Sequence, residues 1–143
     1  MKTSWIVIII VVLSILGLIL YFNYPVTVQN VLKHTDNIEK IHVIYISNGT
    51  STEYLLTKDQ GRNFDDVIQI LGTVTYTKKL HTFRGGTGDA ILMTIVYGDK
   101  NGESKNYDVD IRELGIIISH DKEYRIHGNS KELIDKLVRW INS

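Results

Sequence analysis

The side chains most able to do chemistry in this chain are its histidines and a pair of closely spaced aspartates. There are five histidines, at His34, His42, His81, His120 and His127. No two of them are three, four or five residues apart, so none forms a local zinc-binding pair. His120 is followed by Asp121, which would orient its imidazole as a general base. We favour hydrogen-bonded structural roles for these histidines over catalytic ones.

Asp108 and Asp110 lie in a segment that alternates polar and apolar side chains. In an extended strand, carboxylates two residues apart share one face at a separation of about 7 Å. Two carboxylates at that separation are able to share a cation or to divide the roles of acid and base. The same alternation is typical of any strand with one solvated face, and we favour that interpretation.

A glycine-rich loop, Arg84–Asp89, resembles a phosphate-binding loop, because bare backbone amides are able to surround an anion. Its spacing matches neither a P-loop nor a dinucleotide fingerprint. A strand is predicted after it, whereas those sites use the N-terminus of a helix. We therefore predict a flexible connector.

One basic and aromatic cluster precedes and overlaps this loop. It consists of Lys78, Lys79, Leu80, His81, Phe83 and Arg84. Two interpretations stay open: contact with anionic lipid headgroups, or a solvated strand edge.

Composition excludes several classes of site. The chain has no cysteine, which removes disulfides, thiolate zinc sites and cysteine nucleophiles. All sixteen acidic residues but only fourteen of the sixteen Lys and Arg follow residue 35, so residues 36–143 carry a net charge of about −2. Such a balance disfavours nucleic-acid binding. We predict no catalytic residue, no cofactor-binding residue and no metal ligand.

The segment from Trp5 to Phe22 contains eighteen residues and no charged side chain. As a helix it extends roughly 27 Å, close to the hydrocarbon thickness of a bilayer. It is longer than the apolar region of a usual signal peptide, and bulky aromatic residues follow it where a signal peptidase needs small ones. We expect a retained transmembrane helix, with membrane lipid as the partner of residues 5–22.

Charge near the two ends of this helix gives its orientation. Lys2 and the terminal amine favour a cytoplasmic N-terminus, although Lys33 and Lys40 near the other end weaken the signal. We expect the domain on the extracytoplasmic side of the cell membrane. The chain then divides into an N-terminal segment (1–22), a tether (23–35) and a soluble domain (36–143). The stretch 23–35 shows no strong periodicity, so the start of the domain is the alternative to a tether.

Alternation and turn residues predict the strands of this domain. Lys40–Ser47 and Ser51–Thr57 flank Asn48-Gly49, the residues that most readily adopt positive φ, and this pattern predicts a hairpin. Further strands are expected at 73–83, 91–97, 106–112, 116–120 and 123–126.

Two amphipathic helices are predicted among these strands. The first covers Phe64–Leu71, with Asn63 or Asp59 as its N-cap and Gly72 as its end. The second lies near the C-terminus. Asn129 opens it, and Glu132 stands three residues later at the spacing of a capping box.

This order predicts an α+β fold: an N-terminal transmembrane helix followed by one antiparallel β-sheet with two amphipathic helices packed on one face. The long hairpin Ile91–Arg112 and the terminal helix Lys131–Ile141, behind a short membrane segment, resemble small membrane-anchored extracytoplasmic proteins of Bacillus-type bacteria. The resemblance concerns element order only. It implies no catalytic residue.

The expected function is non-enzymatic: the domain binds a protein, a peptide or an envelope component. A membrane-tethered enzyme acting on cell-wall or phosphate compounds is one alternative, and it would need His120, Asp108, Asp110 and Arg84 in one pocket. An accessory subunit of a membrane assembly is the other, since the small residues Ser14 and Gly17 allow close helix approach in lipid.

Overall fold

A computed structural model describes residues 2–80, 82–83 and 85–143, with side chains from Trp5 onward. His81 and Arg84 therefore lie outside the described residues. The predictions that involve His81 and Arg84, for the basic cluster, the glycine loop and a catalytic pocket, fall outside the described residues as well.

Helix α1 spans Lys2–Asn23. Its part Trp5–Asn23 is long and apolar enough to cross a membrane, and none of it is buried against the rest of the protein. Trp5 is 65% exposed and Leu20 is 67% exposed. A helix with these properties suits a membrane anchor or a signal sequence, and it is unlike the buried core helix of a soluble protein.

The chain enters the sheet directly after α1. Strand β1 is Pro25–Val26, paired with residues 76–77, and helix α2 is Val28–Val31. Both valines of α2 are buried, and so are Val26 and Leu32. Part of the stretch 23–35 thus contributes a short strand and buried side chains to the folded domain.

Strands β2, Ile38–Ser47, and β3, Thr50–Thr57, form the predicted hairpin. Asn48 has φ 50° and Gly49 has φ 76°. A type I′ turn requires two successive positive φ values, and Asn-Gly is the dipeptide that adopts them most readily.

Helix α3, Asp65–Leu71, follows the hairpin and ends at Gly72. The N-cap position is taken by Phe64 without a side-chain cap, so neither predicted N-cap residue stands there; the Asn63 side chain, one residue earlier, accepts a hydrogen bond from the amide of Asp65. Asp59 lies instead in a 3₁₀ turn, Lys58–Gln60. Strand β4, Thr75–Lys79, comes next and is shorter than predicted.

The second half of the domain is a meander closed by a helix. Its elements are β5 (Ala90–Gly98), β6 (Ser104–Arg112), β7 (Ile116–Ser119), β8 (Lys122–His127) and α4 (Ser130–Ile141). The Asn129 side chain accepts from the amide of Glu132, as the capping pattern predicted.

Within the described residues, the strands form one antiparallel sheet of eight strands in the order β1-β4-β8-β7-β6-β5-β2-β3. The fold is therefore α+β, as predicted. Successive antiparallel pairings make β4 and β5 run in the same direction, with β8, β7 and β6 between them. Residues 80–89, here called the crossover, must therefore cross those three strands.

Burial alternates along the strands and separates two sheet faces. Ile91, Met93 and Ile95 of β5 are buried, whereas Leu92, Thr94 and Val96 are partly exposed. We call the buried side the inner face and the other side the outer face. The buried side chains of β2, β5, β6, α3 and α4 belong to one apolar cluster.

Candidate functional site

The crossover covers the outer face over β8 and is held there by Glu123. This carboxylate has 0% side-chain exposure and pairs with Lys79 of β4. It also accepts hydrogen bonds from the backbone amides of Thr82, at 2.8 Å, and Phe83, at 3.0 Å. Burial acts to raise the pKa of Glu123, but the hydrogen bonds from Lys79 and the two amides outweigh it and lower the pKa.

The predicted aspartate pair lies on the outer face, and each carboxylate has its own partner. Asp108 accepts a hydrogen bond from the Thr94 hydroxyl at 2.7 Å. Asp110 binds the guanidinium of Arg112 at 2.7 Å, and that guanidinium lies 5.3 Å from the centroid of the Phe83 ring. Each carboxylate therefore has a polar partner on this face, Asp108 at an exposed position and Asp110 in a partly buried ion pair.

Beyond the crossover, the outer face is open over β2, β3, β5 and β6. A groove of about 760 Å³ lies there, and its lining includes Ile44, Leu55, Val96 and His42. Leu55 is 48% exposed. Lys40 adds positive charge to the lining and Glu53 adds negative charge, whereas Lys105, which also lines the groove, is paired with Asp99. The groove therefore combines apolar side chains with one side chain of each charge, Lys40 and Glu53.

Strand β3 forms the end of the sheet, beside this groove. It is eight residues long, contains no proline or lysine, and carries one charged side chain, Glu53. Natural sheets usually protect such an edge with lysine, proline, a bulge or a covering element. Over its described residues, β3 pairs in register with β2 along its whole length, without a bulge.

Two histidines stack on buried tyrosines near the start of the domain. His34 stacks on Tyr97 with ring centroids 4.2 Å apart, and His120 stacks on Tyr107 at 4.1 Å. The Ser119 hydroxyl lies 3.0 Å from Nδ1 of His120. Burial lowers the pKa of His120, and the nearby cations Lys33 and Lys122 together with His34 lower it further, against an opposing effect of Asp121.

The remaining described histidines are separate from this cluster. His127 Nε2 lies 2.8 Å from the Thr77 hydroxyl, and His42 lines the outer groove. Among the described residues, no group of three or more His, Cys, Asp or Glu is placed to hold a metal ion. The histidines that the structure describes thus have hydrogen-bond, stacking or surface positions.

The three described residues required by the enzyme hypothesis do not lie in one pocket. His120 stacks on Tyr107, an inner-face side chain, whereas Asp108 and Asp110 project from the outer face. Arg84, the fourth residue of that hypothesis, lies outside the described residues.

Sequence reasoning missed Glu123, whose neighbours suggest only an alternating strand. Its buried carboxylate becomes apparent once β4 pairs with β8 and places Lys79 directly across from it. The opposite charges of Lys79 and Glu123 were the one signal in the sequence for this ion pair. The pairing of β4 with β8, which brings the two residues together, was not predictable from local pattern.

A second notable surface surrounds the end of α1. Lys78 of β4 places its Nζ 3.8 Å from the centroid of the Tyr21 ring. Leu80 follows at the start of the crossover and is 66% exposed, and Tyr24 is 71% exposed. Part of the predicted basic cluster therefore lies against the apolar helix.

Comparison of the chain with protein-family models, with curated proteins and with solved structures finds no match. The function proposed below rests on the surfaces of this chain alone.

Proposed function

We propose that this chain is a single-pass membrane protein that presents its domain outside the cytoplasm and binds an extended segment of an envelope polypeptide. The apolar length and exposure of α1 support a retained anchor, as do the aromatic residues Tyr21, Phe22 and Tyr24 at its end. We also infer that α3 and α4 both cover the inner face, because their buried side chains join its apolar cluster. The outer face is then left for the partner.

The observation that carries this proposal is the unprotected edge of β3 beside an apolar groove. In a two-residue hairpin, the pair that flanks the turn exchanges both hydrogen bonds, and bonded and non-bonded pairs then alternate. Ser47 and Thr50 flank the turn. The backbone amides and carbonyls of Ser51, Glu53 and Leu55 therefore point away from β2.

These backbone groups match the requirements of strand addition. An added strand binds through main-chain hydrogen bonds, and its alternate side chains enter pockets on one face. The side chains of Glu53 and Leu55 are on the outer face, across from Ile44 and His42 of β2. A partner strand beside β3 would extend the groove and bury Leu55.

A photo-crosslinking amino acid at position 55 of the full chain in growing cells tests this proposal. We expect a specific adduct whose partner is identified by mass spectrometry. Glu53→Pro should abolish the adduct, since it removes an outward-pointing amide while leaving the hydrogen bonds to β2 intact. Glu53→Ala removes the charge, keeps the amide and should retain the adduct.

A crosslinker at Asp135, exposed on α4, is the positional control. The same adduct from positions 55 and 135 would contradict the proposal, as would an adduct at position 55 that survives Glu53→Pro. Thermal unfolding of each purified variant shows whether the domain remains folded.

A further inference from the structure

We propose that the surface around the end of α1 binds the headgroups of anionic phospholipids in the bilayer that α1 spans. We call it the juxtamembrane patch and define it by Tyr24, Lys78, Leu80 and Arg125, with Tyr21 at its border. The inference deepens the proposed function and rests on it, because α1 has to remain in the membrane.

The patch is held close to the end of α1 by the chain itself. α1 ends at Asn23 and β1 begins at Pro25, so a single residue separates the apolar helix from the sheet. The cation of Lys78 also lies over the Tyr21 ring. A bilayer that contains α1 therefore lies beside β4, and the headgroups are at high effective concentration there.

Positive charge is concentrated at this position. Two grooves flank the end of α1, one of about 280 Å³ and one of about 360 Å³, and no acidic residue is among the described residues that line them. Their cations are Lys78, Lys79 and Arg125. Lys79 forms an ion pair with Glu123. Lys78 and Arg125 therefore supply the local excess of positive charge. The net charge of residues 36–143 is about −2, so this excess is local.

Exposed apolar side chains accompany these cations. Leu80 is 66% exposed and Tyr24 is 71% exposed. At a membrane interface, aromatic and apolar side chains enter the headgroup boundary, while lysine and arginine extend their charged ends toward phosphate. The combination fits an anionic lipid surface better than it fits bulk water, since such surfaces attract basic segments near a membrane helix.

The test uses the full chain in lipid nanodiscs and one introduced thiol. Because the chain has no cysteine, Leu80→Cys carries the only fluorescent label. Quenching by lipids with a nitroxide in the headgroup region is measured in discs of phosphatidylcholine alone and of phosphatidylcholine with phosphatidylglycerol. We expect stronger quenching in the anionic discs.

Charge-removing variants then identify the residues responsible. Lys78→Gln and Arg125→Gln should each weaken contact in anionic discs about fivefold, as an equilibrium constant, and should have little effect in neutral discs. The variant with Lys131→Gln and Arg139→Gln, which removes two exposed cations of α4, is the matched control and should quench like the parent. A label at Leu55, on the strand at the far end of the sheet, should not be quenched.

The outcomes separate this inference from the proposed function. If the protein does not remain with the discs during gel filtration, the anchor itself is wrong. If it remains but the label at position 80 is unquenched, or is quenched equally in both lipids and in every variant, the anchor stands and the lipid-headgroup assignment is overturned. Loss of quenching on adding inorganic phosphate would instead assign the patch to free phosphate.

Discussion

Glu123 connects the crossover to the outer face of the sheet. It is a buried carboxylate that accepts hydrogen bonds from Lys79 and from two backbone amides of the crossover. Hydrogen bonds to a buried charge contribute more to stability than neutral ones, and amides left unpaired add a desolvation cost. Glu123 therefore holds the connection between β4 and β5 against the sheet.

Glu123→Gln should lower the free energy of unfolding by about 2 kcal/mol. The shape of the side chain is kept, but the negative charge that matches Lys79 is lost. Urea unfolding of the full chain in detergent micelles, followed by circular dichroism, measures the change. Glu53→Gln, at an exposed outer-face position, is the matched control and should unfold like the parent. Equal stability of all three proteins would show that Glu123 does not anchor the crossover.

His120 should make stability dependent on pH. Its pKa is lowered from the ordinary 6.5 by burial and by nearby cations. Between the lowered value and 6.5 the unfolded chain binds a proton that the folded chain does not, so the free energy of unfolding should fall as the pH falls through this window. His120→Asn should reduce that slope.

The same pH series on His127→Asn is the control for the previous prediction. His127 lies near the Thr77 hydroxyl and away from the stacked tyrosines, so its removal should leave the slope in place. If the unfolding free energy of His120→Asn changed with pH as in the parent, or if both variants lost that pH dependence equally, the dependence would belong to other groups.

At the scale of elements, the segment of residues 25–33 contacts the sheet through strand pairing and side-chain hydrogen bonds. β1 extends the sheet, and the Tyr124 and Tyr107 hydroxyls donate hydrogen bonds to the carbonyls of Asn30 and Lys33. The buried Ser119 hydroxyl donates to the carbonyl of Val31 at 2.7 Å. These long-range contacts attach the segment to β6, β7 and β8.

Leu32→Ala should therefore cost about 3 kcal/mol of unfolding free energy, the usual range for a large-to-small change in a core. Leu32 is 1% exposed, whereas Gln29 in α2 is exposed. Gln29→Ala is accordingly the control and should be neutral. Denaturant unfolding of both variants provides the comparison, and a near-neutral Leu32→Ala would mean that this segment is only loosely attached.

Local signals in the sequence were sufficient for most elements. The Asn48-Gly49 turn and the Asn129 cap each depend on a few adjacent residues, and the structure has both. β1 and α2 were not predicted, because two and four residues are too short to show a period. The crossover was not predicted either, since it follows from the sheet order, which depends on contacts between distant residues.

The candidate surfaces were less predictable than the elements. The groove requires β2 to pair with both β3 and β5, so that Leu55, His42 and Thr94 lie in one row of the outer face. Alternation alone showed that β6 has one solvated face. Alternation did not show which neighbouring strands share that face. The sequence therefore indicated Asp108 and Asp110 as candidates but did not indicate the groove.

At the scale of the whole molecule, the short distance between α1 and the sheet bears on whether the apolar segment is kept. A signal peptidase cuts an extended chain with small side chains after the apolar region. Here Tyr24 alone separates α1 from β1, and the buried Val26 follows within the sheet. Cleavage beyond Val26 would remove a part of the folded domain, which favours retention of α1.

Alkaline phosphatase fused after Ser143 should be active, because the domain is expected outside the cytoplasm and this reporter folds only there. A reporter that works only in the cytoplasm, fused at the same position, should be inactive. Mass spectrometry of the membrane fraction should find the chain with residues 2–23 intact.

Replacing Lys2 with Glu should reduce phosphatase activity, since Lys2 favours the cytoplasmic N-terminus, whereas Lys131→Glu, far from the helix in the chain, should not. The opposite pattern of reporter activity would reverse the orientation, and a mature chain that begins after residue 23 would identify α1 as a signal sequence.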